Sequence, residues 1–302
     1  MGEIRFDNKV AIITGAGIGL GRSYALYLAS RGANVIVNDI GGAKDGTGHS
    51  DAPAQEVVRE IVNRGGTAIA NFDDISSFDG AQNIVATAVE HFGTVDILIN
   101  SAGILRDKSF IKMDIQDFNK VLQVHLFGTV YMTKAVFPVM LEKGYGRIVH
   151  TTSAAGLYGN FGQTNYASAK LGIVGFMNAL KLEGQKHNIL INTVAPIAAT
   201  RMGEGIYPEP VLKALKPELV AALVAYLASS TCTTTGEIIS AGGGYYAKVH
   251  MVEAPGVRLD PRDDVTPETI AEKFPDITNM QGATHYDSAI EEVMTMFTHL
   301  MG

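Results

Sequence analysis

Residues 9–21 read KVAIITGAGIGLG. The run 9–14 is apolar and rich in β-branched residues, as in a strand buried on both faces. Glycines then follow at 15, 17, 19 and 21. Their spacing is not G-x-G-x-x-G: counted from Gly15 the third place falls on Leu20, and from Gly17 on Arg22. Gly15, Gly19 and Gly21 fit T-G-x-x-x-G-x-G instead. A glycine turn between strand and helix lets the backbone turn tightly and approach a pyrophosphate at the helix N-terminus. The segment Gly15, Gly17, Ile18, Gly19, Leu20 and Gly21 is therefore read as a phosphate cradle, with a purely structural turn as the alternative.

Working outward, NVIVND (34–39) reads as a second strand ending in Asp39. An acidic residue about twenty positions after the glycines can accept hydrogen bonds from ribose hydroxyls and repels a 2′-phosphate. Ala16 and Ile40 supply no cation beside it, so the pair of signals favours NAD over NADP. The alternative is a strand-end Asp that caps its own loop. Further apolar runs at 67–72, 95–100, 146–153, 189–195 and 237–244 alternate mostly with helical stretches. That alternation predicts an α/β fold: a Rossmann-type doubly wound parallel sheet of about seven strands, helices on both faces.

Two regions are predicted, an NAD-binding catalytic domain over 1–245 and a loop-and-helix extension over 246–302. In the extension, Thr266-Pro267-Glu268 offers an N-cap, a proline at the first helical position and an acidic first turn. Ile290, Val293, Met294, Phe297, Leu300 and Met301 form one helical stripe, expected to pack on its own or a partner subunit.

Composition excludes several classes. The net charge of −7 is concentrated at the end: residues 1–240 hold 20 Lys/Arg against 21 Asp/Glu, and residues 241–302 hold 4 against 10. An acidic tail argues against a nucleic-acid partner. No run of about eighteen apolar residues suggests a membrane span. The start does not read as a signal peptide, and HLMG is not a peroxisomal address. A single cysteine, Cys232, and no Cys/His cluster argue against a disulfide framework or a structural metal. A soluble cytoplasmic enzyme is expected.

The chemistry centres on NYASAK (165–170), which puts Tyr166 and Lys170 at i, i+4 on one helix face. With 11 Tyr and 14 Lys in 302 residues, about half a match arises by chance, so the setting must decide. Ser153 lies thirteen residues earlier at the end of the fifth strand, where open α/β sheets place their ligands. An ammonium near Tyr166 would lower the phenol's pKa and let it exchange a proton with a substrate oxygen.

Together with Asn100-Ser101-Ala102-Gly103, these features resemble the short-chain dehydrogenase/reductase family over residues 9–244. The resemblance implies that Ser153 positions the substrate oxygen, Tyr166 is the general acid/base, and Lys170 also holds the nicotinamide ribose. It places adenine near Asp73, Asp74 and Ile75. It makes Asn100, Ala102, Gly103, Pro196, Ile197 and Thr200 further cofactor contacts. Three positions depart from the family pattern: Ser101 replaces a second asparagine, Ile197 replaces glycine after Pro196, and His125 replaces an asparagine. That asparagine acts in the family through a backbone carbonyl, so the His125 ring is expected to be structural and its carbonyl functional. The family also implies a homodimer or homotetramer, built through the helices carrying Gly128, Thr129, Gly172 and Gly175.

GGAKDGTGHS (41–50), SAGILRDKSF (101–110), GLYGNFGQTNYASAK (156–170) and the tail from TPETIAEKF resemble one subgroup. It comprises the D-3-hydroxyacyl-CoA dehydrogenase units of peroxisomal multifunctional β-oxidation enzymes. The expected function is hydride transfer between NAD and such a secondary alcohol. The alternative substrate is a hydroxysteroid or another bulky alcohol; a non-catalytic NAD-binding protein is the contrasting class.

Overall fold

The structure, a computed structural model, describes residues 2–200, 208–260 and 262–301. Eight strands among them form one sheet: β1 (Val10–Thr14), β2 (Asn34–Asn38), β3 (Thr67–Asn71), β4 (Ile97–Asn100), β5 (Gly146–Thr151), β6 (Ile189–Pro196), β7 (Ile238–Gly242) and β8 (Tyr245–Val249). Their spatial order is 3-2-1-4-5-6-7-8, with parallel registers from β3 through to β7. The central strands are apolar along their middle because both faces are covered; Ala11, Ile12, Ile13, Ile97, Leu98 and Ile99 are fully buried.

The sequence reading ended the sheet one strand early. Gly243 and Gly244 adopt left-handed backbone (φ +58° and +83°) and turn the chain back within two residues. YYAKV lacks the apolar alternation that would have marked it, because an edge strand need not bury either face fully.

The helices are α1 (Gly19–Ser30), α2 (Ala52–Asn63), α3 (Phe78–Phe92), α4 (Ile115–Leu122), α5 (Gly128–Lys143), α6 (Ala154–Tyr158), α7 (Thr164–Gly184), α8 (Glu209–Ala214) and α9 (Pro217–Leu227). A π-helical turn, Gln123–Phe127, joins α4 to α5. By length and composition the run Ile115–Lys143 could cross a membrane. Here it is a covering layer of the sheet, with Val121, Met132, Val136 and Met140 fully buried.

The chain divides into two compact units, Met1–Lys248 and Val249–Gly302. In the second, Thr266 caps α10 (Pro267–Ile277) by accepting from the Thr269 N–H at 3.3 Å. Helix α11 (Ala289–Met301) leaves Ile290, Val293, Met294 and Phe297 exposed; the Leu300 and Met301 side chains lie outside the described residues.

Candidate active site

The strand order reverses between β1 and β4, and a cavity of about 590 Å³ opens over the carboxyl ends of the strands there. At one end is the glycine turn. A Cβ on Gly21 would lie 2.1 Å from the Gly15 carbonyl oxygen, and one on Gly15 would lie 2.6 Å from Ala102 Cα. No side chain is tolerated at either place, so α1 and the 100–103 segment close onto β1 only because these residues are glycine. Gly15, Ile18, Gly19, Leu20 and Gly21 all line the cavity. Gly17 serves differently, through its N–H.

Asp39 accepts from the Gly17 N–H at 2.8 Å and from the Gly41 N–H at 2.7 Å, one bond on each carboxylate oxygen. Each oxygen keeps lone-pair capacity for a ribose hydroxyl. Asp73, Asp74 and Ile75, expected beside an adenine, line the same cavity. The Asp73 carboxylate is held by Asn71 and Asn83, and that of Asp74 by the Ser76 N–H and hydroxyl. The cradle, the paired acceptors and the flanking pocket fit a dinucleotide.

At the other end stand Ser153, Tyr166 and Lys170, the residues expected to carry the chemistry. Ser153 caps α6, its hydroxyl accepting from the Ala155 N–H at 3.2 Å. The Ser153 hydroxyl near the Tyr166 phenol lowers that pKa; burial, the larger effect, raises it. Lys170 is buried on the next turn of α7 and donates to the Thr151 carbonyl at 2.7 Å, while Thr152 Oγ1 ties the Lys170 carbonyl at 2.7 Å. Burial pushes its ammonium down to about 7. Here the expected electrostatics need correction. Lys170 Nζ sits 5.5 Å from the Tyr166 ring centroid, and the phenol of the protein alone is raised rather than lowered. Desolvation of both groups outweighs their mutual effect.

His125 lies in the π turn with its ring edge-to-face on Tyr166, 5.1 Å between centroids. Its Nε2 is 3.0 Å from the Ile104 N–H and 2.8 Å from the Ile104 carbonyl; a neutral ring satisfies one of these at a time. Burial, then the charge of Lys170, pushes its pKa down to about 3, so the ring is neutral and is no proton donor at pH 7. Gly103 is required beside it: a Cβ there would meet His125 Cε1 at 2.3 Å.

Other expected contacts fall unevenly. Ala102, Gly103, Pro196, Ile197 and Thr200 line the cavity. Asn100 does not; its side chain turns under the floor to His150 Nδ1, 3.1 Å away. That is a correction, and its cause is strand alternation: Asn100 faces the layer beneath while Ser101 faces the cavity. Sequence reasoning missed Lys44, Asp107, Tyr158, Asn160 and Gln163, which complete the wall. All five lie in stretches quoted above for their likeness to one subgroup, 41–50, 101–110 and 156–170; the insert 41–50 folds back so that the Lys44 carbonyl accepts from the Leu105 N–H at 2.9 Å.

The helix glycines expected at a subunit interface mostly serve the chain itself. Gly128 faces Ile75 and Gly172 faces Leu126, where added Cβ atoms would lie 2.8 and 3.1 Å away; only Gly175 opens on free space.

Comparisons agree with this geometry. Residues 9–209 match the short chain dehydrogenase family. The peroxisomal multifunctional enzyme type 2 of Drosophila melanogaster is 46% identical over 297 residues, covering 98% of this chain but 49% of that protein, so the chain spans about half its length. The full-length structure of that enzyme superposes with a TM-score of 0.83 at 39% identity, over 98% of this chain and 50% of that one. A crystal structure of a short chain dehydrogenase from Mycobacterium avium gives 0.79 at 36% identity, over 91% and 96% of the two chains. A 7α-hydroxysteroid dehydrogenase complexed with NADH and 7-oxo glycochenodeoxycholic acid gives 0.71 at 31% identity, over 80% and 95%. Motif, topology and likeness converge, and the chain belongs to the short-chain dehydrogenase family of oxidoreductases, whose members use a nicotinamide dinucleotide.

Proposed function

We propose that the protein oxidises a D-3-hydroxyacyl-CoA to the 3-ketoacyl-CoA with NAD. The observation that carries the chemistry is the placement of Ser153, Tyr166 and Lys170 at one end of a cavity whose other end is the glycine cradle. The thioester substrate is supported by end-to-end likeness to the multifunctional enzyme.

When bound, the oxidised nicotinamide supplies the hydride acceptor and a positive ring beside the substrate. Ser153 holds the substrate oxygen by hydrogen bonding, and Tyr166 takes the hydroxyl proton as the hydride leaves the carbinol carbon. Lys170, fixed by Thr151, holds the nicotinamide ribose and adds positive charge under the phenol when protonated. The π turn takes the His125 carbonyl out of the regular helical register: the Gly128 N–H is shared between it and the Gln123 carbonyl, which leaves the His125 oxygen a lone pair for a water-holding role. Because burial raises Tyr166, oxidation, which uses the phenolate, gains with rising pH, and reduction, which uses the phenol, slows only in the alkaline range where that raised group loses its proton.

NAD rather than NADP follows from Asp39, which repels a 2′-phosphate. Asp39→Ala should erode the preference by roughly tenfold or more; an NADP preference in the unaltered protein would reverse the assignment. The family's two-fold interface through α5 and α7 and a cytoplasmic setting belong to the same proposal, with the relative's peroxisomal location as the alternative setting.

The hydroxysteroid reading is second, favoured by the 7α-hydroxysteroid dehydrogenase structure. Initial rates with NAD on D-3-hydroxyacyl-CoA and hydroxysteroid panels separate the two. Higher kcat/KM on the thioesters is expected; higher kcat/KM on steroids overturns it.

A further inference from the structure

Exposed large apolar side chains are ordinarily scattered, and a cluster marks an interaction site. Five stand beside the open end of the cavity: Phe110 (73% exposed), Ile111 (91%), Ile115 (62%), Tyr158 (72%) and Phe161 (90%). They come from two segments, 110–115 and 158–161, distant in sequence and cross-linked in space. The Lys108 N–H donates to the Gly162 carbonyl at 2.9 Å. Gln163 Nε2 donates to Asp107 at 2.8 Å, Asn165 Nδ2 to the Arg106 carbonyl at 3.0 Å, and Thr164 Oγ1 meets the Met113 sulfur at 3.7 Å. Four such ties hold the apolar residues as a fixed shelf. Tyr158 belongs to both the shelf and the cavity wall, and Asp107 and Gln163 line that wall too, so the shelf begins where the cavity opens.

We propose that this shelf carries the acyl chain of the substrate and makes the enzyme selective for long chains. The inference rests on the thioester reading above. A 3-hydroxyacyl thioester reacts at a carbon with two unlike arms, a polar carrier and a hydrocarbon chain. With the reacting carbon at Ser153 and Tyr166 and the glycine end given to the dinucleotide, the chain leaves past Tyr158. There it meets aromatic and branched side chains, which reward methylene groups.

The test is kcat/KM of the intact protein with NAD across D-3-hydroxyacyl-CoA substrates from four to sixteen carbons. A fully buried methylene is worth about fourfold and one covered on a single face about twofold, so kcat/KM should climb by that amount per carbon until the shelf is filled. In Ile111→Ser and Phe161→Ser the long-to-short ratio should fall about tenfold, through KM rather than kcat. A flat profile in the unaltered protein, or the same ratio in both variants, overturns the shelf while the thioester reading stands. Absence of turnover along the whole series removes the thioester reading and the shelf with it. Sedimentation velocity on the variants adds a further arm: a smaller species with an unchanged ratio assigns the face to a second copy and also overturns the proposal. Should a variant precipitate, the profile of the unaltered protein decides by itself.

Discussion

Tyr166, Lys170 and His125 form one polar cluster, the last two buried and Tyr166 partly exposed to the cavity, yet their expected responses to substitution differ. Removing the Tyr166 hydroxyl takes away the group that moves the proton, so Tyr166→Phe should cost about 10²–10⁴ in kcat, the usual range for general acid–base catalysis. NADH binding, followed by fluorescence, should survive; unchanged turnover would show that another group moves the proton. Lys170→Ala should abolish most turnover and weaken NADH as well. His125→Asn should retain substantial turnover, because the neutral ring bonds only to the Ile104 backbone. Equal loss in the His125 and Lys170 variants would move the function of His125 from its carbonyl to its ring.

At the scale of an element, the close approach of α1, β1 and the 100–103 segment depends on missing side chains. Gly21→Ala would drive a Cβ into the Gly15 carbonyl, with backbone on both sides of the clash and no flexible group to give way. We expect a loss of about 1–3 kcal/mol of stability, the cost of overpacking, and a larger proportional loss of NADH affinity because the cradle itself shifts. Denaturant melts and an NADH titration report the two effects separately; an unchanged NADH affinity would mean that the turn is structural only. The π turn between α4 and α5 was not visible in sequence. QVHLFG carries helix-compatible residues throughout, and the extra residue in the turn is decided by packing of α4 against α7 and α5 against α3.

Across the whole molecule, burial of three basic side chains sets an acid sensitivity. His125 and His150 are each pushed down to about 3, chiefly by burial and then by the charge of Lys170, and Lys170 itself to about 7. Each binds its proton more readily unfolded than folded. The unfolded chain therefore takes up protons first, and stability falls as pH drops: for Lys170 from about 10 to 7, for the histidines from about 6.5 to 3. Tm should fall between pH 7 and pH 4.5, and His150→Asn should lessen that fall relative to the unaltered protein. An identical fall in the variant would place the acid sensitivity in other groups.

The succession of seven strands along the chain, the glycine turn, Asp39 and the spacing of Ser153, Tyr166 and Lys170 were all legible in the sequence. They depend on local steric rules and on periodicity: two-sided burial demands apolar strands, a phosphate turn demands glycine, and i, i+4 spacing puts two side chains on one helix face. β8 was not legible because an edge strand needs no apolar pattern, and Gly243-Gly244 read as an ending rather than a turn. Which way Asn100 points depends on the register of β4 against β5, and the roles of Gly128 and Gly172 on which neighbours arrive. The opposite shifts of Tyr166 and Lys170 arise from desolvation, which exists only once the cavity walls have closed around them. The shelf beside Tyr158 likewise joins residues 110–115 to 158–161, a juxtaposition that folding alone creates. Sequence determined which chemistry the chain carries; the tertiary structure decided how that chemistry is solvated, aimed and bounded, because those properties belong to neighbours brought from elsewhere in the chain.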